Sequence, residues 1–355
     1  MFSLIYIALT GTIFVSIFVV LLHPLAVIAK LVDKPNARKH HQGDIPLLGG
    51  PVIWLVSFIS FLVVPDLLSP MLMAIASALV ILGIIDDRFN ISAIFRLVCQ
   101  LAAALTAILA LDLNVHDFGI FTLPTETDYK HFVTLVSALA VVAAINAFNF
   151  IDGIDGLSAS LAAMGFVHVN LAFGLLAHPT PPDILAIIML MLGSLSGFLL
   201  FNLRVFSGRK IFLGDSGSMF LGFFTAFVLI RASQGDATIS SATIPAGLCL
   251  WIIAIPITDL MTVTSRRMLA GRSPMSPDRA HLHHILLDNG LSGRRTLVML
   301  LMSAIGMFWL GYLIFYWFGE IACTLAFFPT AIGYYYAILK SGKLLQAVQK
   351  LTNAD

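Results

Sequence analysis

The sequence predicts an all-α polytopic membrane protein of about eleven transmembrane helices, with its N-terminus outside the cell membrane and its C-terminus in the cytoplasm. Three observations carry that reading. Apolar residues fill 59% of the 355 positions and charged residues only 11%. Soluble domains carry roughly 25% charged residues, so this chain has too little polar surface to cover a core of its size. Apolar runs of about 20 residues, each long enough to cross a bilayer as a helix, recur along the whole chain. When these runs alternate across a membrane, eighteen of the twenty Lys and Arg residues fall on one side.

The runs are centred near residues 3–22, 47–64, 68–85, 94–111, 132–149, 157–177, 184–201, 211–230, 241–260, 297–317 and 321–339. The first has no basic stretch ahead of it and no small-residue cleavage site, so it reads as a retained helix and not a signal peptide. Lys30, Lys34, Arg38 and Lys39 follow the first run, Arg88 and Arg96 the third, and Arg204, Arg209 and Lys210 the seventh. Arg266, Arg267, Arg272, Arg279, Arg294 and Arg295 follow the ninth, and Lys340, Lys343 and Lys350 close the chain. Only Lys130 and Arg231 lie opposite, so the positive-inside rule orients the protein. Cys99, Cys249 and Cys323 sit in apolar runs without metal or disulfide spacing and are expected only to pack.

Polar clusters at membrane depth are costly and mark function by default; here they gather at the cytoplasmic ends of runs. The first runs from Asp33 through Lys39, His40 and His41, with Pro46 and Gly49-Gly50 beyond it. It fits either a basic strip on lipid headgroups or a phosphate-binding strip that the glycines let approach closely. The second is Asp86-Asp87, two carboxylates disfavoured at a helix C-terminus by repulsion and by the dipole. Pairing with Arg88 or Arg96 would explain them, and so would a cation or a proton. The third, Asn146, Asn149, Asp152 and Asp155, recurs every three residues and is expected to form one polar stripe on a helix, with Gly153 and Gly156 admitting a ligand; an Asx turn or N-cap is the other reading. The fourth is Asn202 and then Gly214-Asp215-Ser216-Gly217-Ser218, where a helix start offers either a simple cap or free N–H groups for a phosphate, with Asp215 holding a divalent metal. The fifth is Arg279, His281, His283 and His284 in a long cytoplasmic loop, where neighbouring arginines favour an anionic sugar nucleotide over zinc.

These five clusters, in this order over about 250 residues from Asp33 to His284, resemble the polyprenyl-phosphate N-acetylhexosamine-1-phosphate transferase superfamily. The similarity is to its WecA-type branch. Asn90 stands where the muramoyl-pentapeptide branch has lysine, and His281-Leu282-His283-His284-Ile285 replaces that branch's triple-His and acidic motif. The resemblance implies transfer of GlcNAc-1-phosphate from UDP-GlcNAc to undecaprenyl phosphate, giving GlcNAc-diphosphoryl-undecaprenol and UMP. That would be the first membrane step of a lipid-linked surface glycan of the O-antigen or enterobacterial common antigen type, on the bacterial inner membrane. Other UDP-N-acetylhexosamines remain open.

It further implies Mg²⁺, with Mn²⁺ as the alternative, held by Asp215. Asp86, Asp87, Asp152 and Asp155 form the catalytic set, with Lys39, His41, Asn149, Asn202, Arg279, His281, His283 and His284 binding substrate. The whole chain, 1–355, reads as one transmembrane catalytic domain to which the cytoplasmic loop 261–296 contributes. Membrane lipids are the surroundings, no nucleic acid is expected, and a homodimer is left open. A rival class, a transporter, predicts acids at mid-bilayer and helices broken halfway across. The acids cluster at one face instead, Asp259 after Pro256 being the one candidate for burial.

A cysteine placed at Ser273 is therefore expected to react with an impermeant thiol reagent only after the membrane is opened, and one at Thr125 in intact spheroplasts. Equal labelling of both from outside would reverse the orientation.

Overall fold

A computed structural model describes residues 2–34, 43–64, 67–118, 120, 127–205, 208–235, 243–275 and 280–352. It is helical nearly throughout: α1 (Phe2–Ile28), α2 (Gly49–Val63), α3 (Pro70–Phe89), α4 (Ala93–Leu111), α5 (Thr127–Ile151), α6 (Leu157–Leu175), α7 (Pro182–Asn202), α8 (Gly214–Gln234), α9 (Ala246–Ile252), α10 (Ala254–Leu269), α11 (Leu282–Asp288) and α12 (Gly293–Thr352). Among the described residues eight helices are long and apolar enough to cross a membrane, or nine if the bent pair α9–α10 is one span.

Each of the eleven apolar runs falls on a helix or part of one, but four of them differ from the expected uniform rods. Helix α2 is apolar yet only 15 residues long. The last two runs share α12, which leaves helical geometry at Gly319 (φ 80°, ψ −179°), a backbone conformation open to glycine. The ninth run is broken: α9 and α10 meet at 84°. Ile253 there has φ −108° and ψ 31°, and Pro256 in the first turn of α10 has no N–H to give the carbonyl of Ile252.

Helix α8 is the centre of the bundle, with 83% of its span buried, whereas α1 buries only 17% and α4 22% and so turn their apolar side chains to lipid. Lipid tails supply no hydrophobic drive between helices, so small residues that let backbones touch do much of the packing. A Cβ on Gly83 of α3 would lie 2.2 Å from Cα of Ser216, and one on Gly50 of α2 would lie 2.3 Å from the Gly217 nitrogen. These contacts draw α2 and α3 onto the first turn of α8.

A short ribbon completes that junction. Strands β1 (Val32–Asp33) and β2 (Ile45–Pro46) pair antiparallel, and Leu47 bridges to Phe212. The N–H groups of Gly49 and Gly50 donate to the carbonyls of Phe212 and Leu213 at 2.9 and 3.0 Å. The double glycine, expected to admit a phosphate, thus joins the entry of α2 to the entry of α8.

On the far side of the bundle α1 lies along α7 through a second set of close approaches. Thr12 Oγ1 donates to the Gly193 carbonyl at 3.0 Å, and a Cβ on Gly193 would sit 2.1 Å from the Ala8 carbonyl oxygen. Gly193→Leu is expected to lower stability by about 1–3 kcal/mol through overpacking, read as a fall in the unfolding midpoint in detergent. Gly306→Leu, where a Cβ meets nothing within 4 Å, is the control, and equal midpoints for the two would sink the account.

Candidate active site

The site begins with the pair at the end of α3. Asn90 adopts a left-handed conformation (φ 50°, ψ 63°) that ends the helix, its N–H donating to the Asp86 carbonyl. Ser92 then caps α4 by accepting from the Phe95 N–H at 3.2 Å. This tight turn brings Arg96, one turn into α4, back onto Asp86, and the two form an ion pair in which Asp86 is buried and Arg96 half-buried. Asp87 points the other way. Its carboxylate accepts from the Asp215 N–H at 2.9 Å, the Ser216 N–H at 3.3 Å and the Ser216 hydroxyl at 3.2 Å. No side chain at Leu213 caps α8; Asp87 does so from another helix. Of the two readings of this helix start, a cap or N–H groups free for a phosphate, the Asp215 and Ser216 N–H groups take the cap, and the ion pair that the sequence left open for Asp86-Asp87 exists for Asp86.

Asn149, in the last turn of α5, donates to Asp215 Oδ1 at 2.5 Å and to Ser218 Oγ at 2.9 Å, fixing the Asp215 carboxyl from the opposite side. The expected polar stripe does not continue beyond it. Helix α5 ends at Ile151, and residues 152–156 form a turn closed by Gly156 at φ 76°. Asn146 faces Gln100, donating to its Oε1 at 2.7 Å. Asp155 is exposed and paired with Lys210 at 2.6 Å. Asp152 is half-buried, and among the described residues no hydrogen bond or ion pair meets its carboxyl. Burial, and then the negative charges of Asp215, Asp87 and Asp155, hold its pKa well above the usual carboxylate range.

The segment 261–296, expected as a solvated loop, is largely structured. Helix α10 extends to Leu269, and His281 opens the short helix α11. His281 Nδ1 lies 2.7 Å from Asp259 Oδ2, and the Leu282 N–H donates to the other oxygen of Asp259 at 2.7 Å. Arg267, itself buried, approaches His281 Nε2 at 3.5 Å. Its guanidinium carbon stands 5.3 Å above the Phe150 ring, which meets the His281 ring edge-on at 5.4 Å. His283 is buried with no hydrogen-bond partner on either ring nitrogen among the described residues, pressed so close to Gly153 that a Cβ there would come 1.9 Å from Nε2. Burial, with His284 and His281 beside it, pushes its pKa well below the usual imidazole value. His284 is half-buried, its ring 4.2 Å from that of His283.

Asn202 is buried and donates to the Ile211 carbonyl at 2.9 Å, tying the end of α7 to the segment that enters α8. Lys39, His41 and Arg279 lie outside the described residues. Among the described residues no three His, Cys, Asp or Glu side chains converge as ligands for one metal, the three imidazoles included.

Lys210, Phe150, Arg267 and Asp259 belong to the site without having been named for it in the sequence, whereas Arg96 and Ser216 stood there as a possible partner of the Asp86-Asp87 pair and as part of the helix-start cluster. Asp259 had a usable signal, as a single acid inside an apolar run. Phe150 and Lys210 had none, since both act through residues distant in sequence.

Comparison with known proteins covers the same ground. The profile of the family described as Glycosyl transferase family 4 matches residues 69–233, from the start of α3 to the end of α8. A protein of Escherichia coli K12 named undecaprenyl-phosphate alpha-N-acetylglucosaminyl 1-phosphate transferase is 33% identical over 349 residues, covering 95% of this chain and 92% of that one. The proteins of the same name from Haemophilus influenzae and Yersinia pestis are 34% and 36% identical, over 94% and 85% of this chain and 93% and 80% of their own lengths.

Removing one partner of a buried ion pair leaves a charge with no compensation. Arg96→Ala is accordingly expected to destabilise the protein by about 3 kcal/mol, read by thermal unfolding in detergent. Asp86→Asn in the same chain should recover much of the loss. Failure of that second change to recover it would show that Arg96 stabilises through something other than Asp86.

Proposed function

The chain belongs to glycosyl transferase family 4, and from that we propose that it transfers GlcNAc-1-phosphate from UDP-GlcNAc to undecaprenyl phosphate, releasing UMP. The observation that carries the reading is the meeting of five aspartates from α3, the α5–α6 turn and α8 at one end of the bundle, balanced by only Arg96 and Lys210 among the described residues. A surplus of oxygen donors is what a diphosphate and its counter-ion require. The enzyme sits in the bacterial inner membrane with eleven spans: α2, the bent α9–α10 pair and the two arms of α12 complete the count. Its N-terminus is outside and its active site faces the cytoplasm.

In the reaction, an oxygen of the lipid phosphate attacks the sugar-proximal phosphorus of the donor. The bond from that phosphorus to the bridging oxygen breaks, and UMP leaves. Asp86 and Asp87 are held by Arg96 and by the start of α8, so they shape the acceptor side of the site. Asp152, without a hydrogen-bond or ion-pair partner among the described residues and with a raised pKa, is the carboxyl suited to take the proton of the lipid phosphate. Asn149 orients Asp215. Asp155 and Lys210 stand at the exposed edge, where Lys210 can exchange Asp155 for a substrate phosphate. His283, kept neutral by burial, presses on the Asp152 turn from the opposite side, and with His281 and His284 beside it reads the donor. By resemblance Lys39, His41 and Arg279 add further phosphate contacts, and Asn202 supports the donor side through the segment it ties.

The donor set suits Mg²⁺, or Mn²⁺, which favours oxygen ligands and completes its shell with substrate phosphates and water; this fits a site where, among the described residues, no three protein ligands converge. Asp215 would hold the ion, which would neutralise the diphosphate and stabilise developing charge. The broken α9–α10 span and buried Asp259 are the features that a transporter would also display. A transporter turns over nothing in detergent, which separates the two readings.

Purified protein in detergent, given labelled UDP-GlcNAc, undecaprenyl phosphate and Mg²⁺, is expected to release UMP only when the lipid is present. Asp215→Asn keeps the shape and the oxygen that accepts from Asn149. It should fold normally and lose about two orders of magnitude in turnover, equivalent to roughly 3 kcal/mol. No lipid-dependent UMP from the parent protein overturns the function, and near-normal turnover of the variant moves the metal elsewhere.

A further inference from the structure

Among the described residues the most deeply buried acid is not one of the five that face one another. Asp259 is fully buried, within α10 and one turn beyond the break that follows α9. A lone carboxylate in such a place is costly unless it is fully hydrogen-bonded, and its two oxygens meet two donors on one short stretch. Oδ2 takes the His281 ring nitrogen Nδ1, and Oδ1 takes the Leu282 N–H, both at 2.7 Å. An ionised carboxylate only accepts, so Nδ1 carries the hydrogen. On the far side of the ring stands the guanidinium of Arg267, which only donates, 3.5 Å from Nε2. The neighbours of the imidazole thus select the tautomer with Nδ1–H and a lone pair at Nε2. Phe150 closes the arrangement, touching both the His281 ring and the Arg267 guanidinium immediately before the Asp152 turn.

We propose that Asp259 is a positioning residue for the transfer reaction: it fixes the tautomer and orientation of His281 and the start of α11, and so sets the surface that reads the sugar nucleotide. This rests on the reading of the histidine segment as the donor site. Asp259 contacts no substrate itself. Its leverage comes from a division of labour that only a carboxylate can perform at this position, since the two donors lie on different oxygens. An asparagine has one acceptor oxygen and an N–H₂ group in place of the second. It can receive the Leu282 N–H or the His281 Nδ1–H but not both. Keeping the former presents a donor to Nδ1, which drives the ring to the Nε2–H tautomer and turns that hydrogen toward Arg267.

The experiment compares the parent protein, Asp259→Asn, His281→Ala and the double variant, with donor and lipid kinetics measured separately and unfolding midpoints taken in the same detergent. His281→Ala reports on the donor-site reading by itself: a raised donor KM supports that reading, and unchanged donor kinetics removes the reading together with the inference. Given a donor effect of His281→Ala, Asp259→Asn is expected to keep a near-parental midpoint and to lose about tenfold to a hundredfold in kcat/KM for UDP-GlcNAc. Its KM for undecaprenyl phosphate should stay at the parental value, and the double variant should be no worse than His281→Ala alone, because both changes act through one imidazole. Parental donor kinetics in Asp259→Asn overturns the proposal. So does a loss that adds fully to that of His281→Ala, or a comparable rise in both KM values. A variant that does not fold, with Asp259→Glu failing as well, also overturns it, since Asp259 would then support the bundle and not the imidazole.

Discussion

The carboxylate of Asp87 on the first N–H groups of α8 is the contact around which this bundle is arranged. At the C-terminal end of its own helix Asp87 is in the wrong field, since the dipole there is negative. Beside it, α8 begins, and a helix start offers unsatisfied N–H groups and a positive dipole end. The mismatch on α3 and the vacancy on α8 cancel only if the two helix ends touch, and the glycines at 50, 83 and 217 allow that approach. Once the helices meet this way, Asp215 in the first turn of α8 is brought beside the α3 pair, and Asn149 of α5 can close on it.

Charge accounting explains why such a junction is also a reaction centre. Arg96 compensates Asp86, and Lys210 compensates Asp155. Asp87 spends its charge on the start of α8. What remains is Asp215, held by an amide and only sharing the charge of Arg96 with Asp86, and Asp152, held by nothing described. A stable apolar bundle has no use for that surplus. A polyanionic substrate pair and its counter-ion do, because they bring the positive charge that the protein withholds. The site is then completed from outside the bundle: α11 presses His283 onto Gly153 in the Asp152 turn, so acid and imidazole groups face one another across a small space.

The break between α9 and α10 gives that second wall its place. A straight span would carry the chain out of the bundle and leave the histidine segment in solvent. The 84° bend lays α10 against α5, so that Arg267 reaches Phe150 and Asp259 reaches His281. The feature that most resembles a transporter therefore serves to fold a basic, imidazole-rich segment back over the acids.

Every apolar run was legible in the sequence as a helix or part of one, because hydropathy over about 20 residues is a local property. So was the gathering of polar residues between Asp86 and His284 that the bundle brings to one end, because an acid in an apolar run stands out in a single chain. The breaks were less visible: Gly319 and Pro256 are single residues whose effect depends on the helices around them. What each polar residue does was decided by tertiary structure alone. The Gly49-Gly50 pair and the α8 N–H groups had a phosphate-binding reading beside a plainer one, and in the bundle both meet other parts of the chain. Asn146 and Asp155 share a spacing with Asn149 and Asp152, but the helix ends at Ile151 and sends them to different partners. Composition and spacing determine which groups a bundle contains and roughly where along the membrane normal they lie. Which carboxylate meets a helix end 128 residues away, and which is left free for chemistry, follows only from how the helices pack.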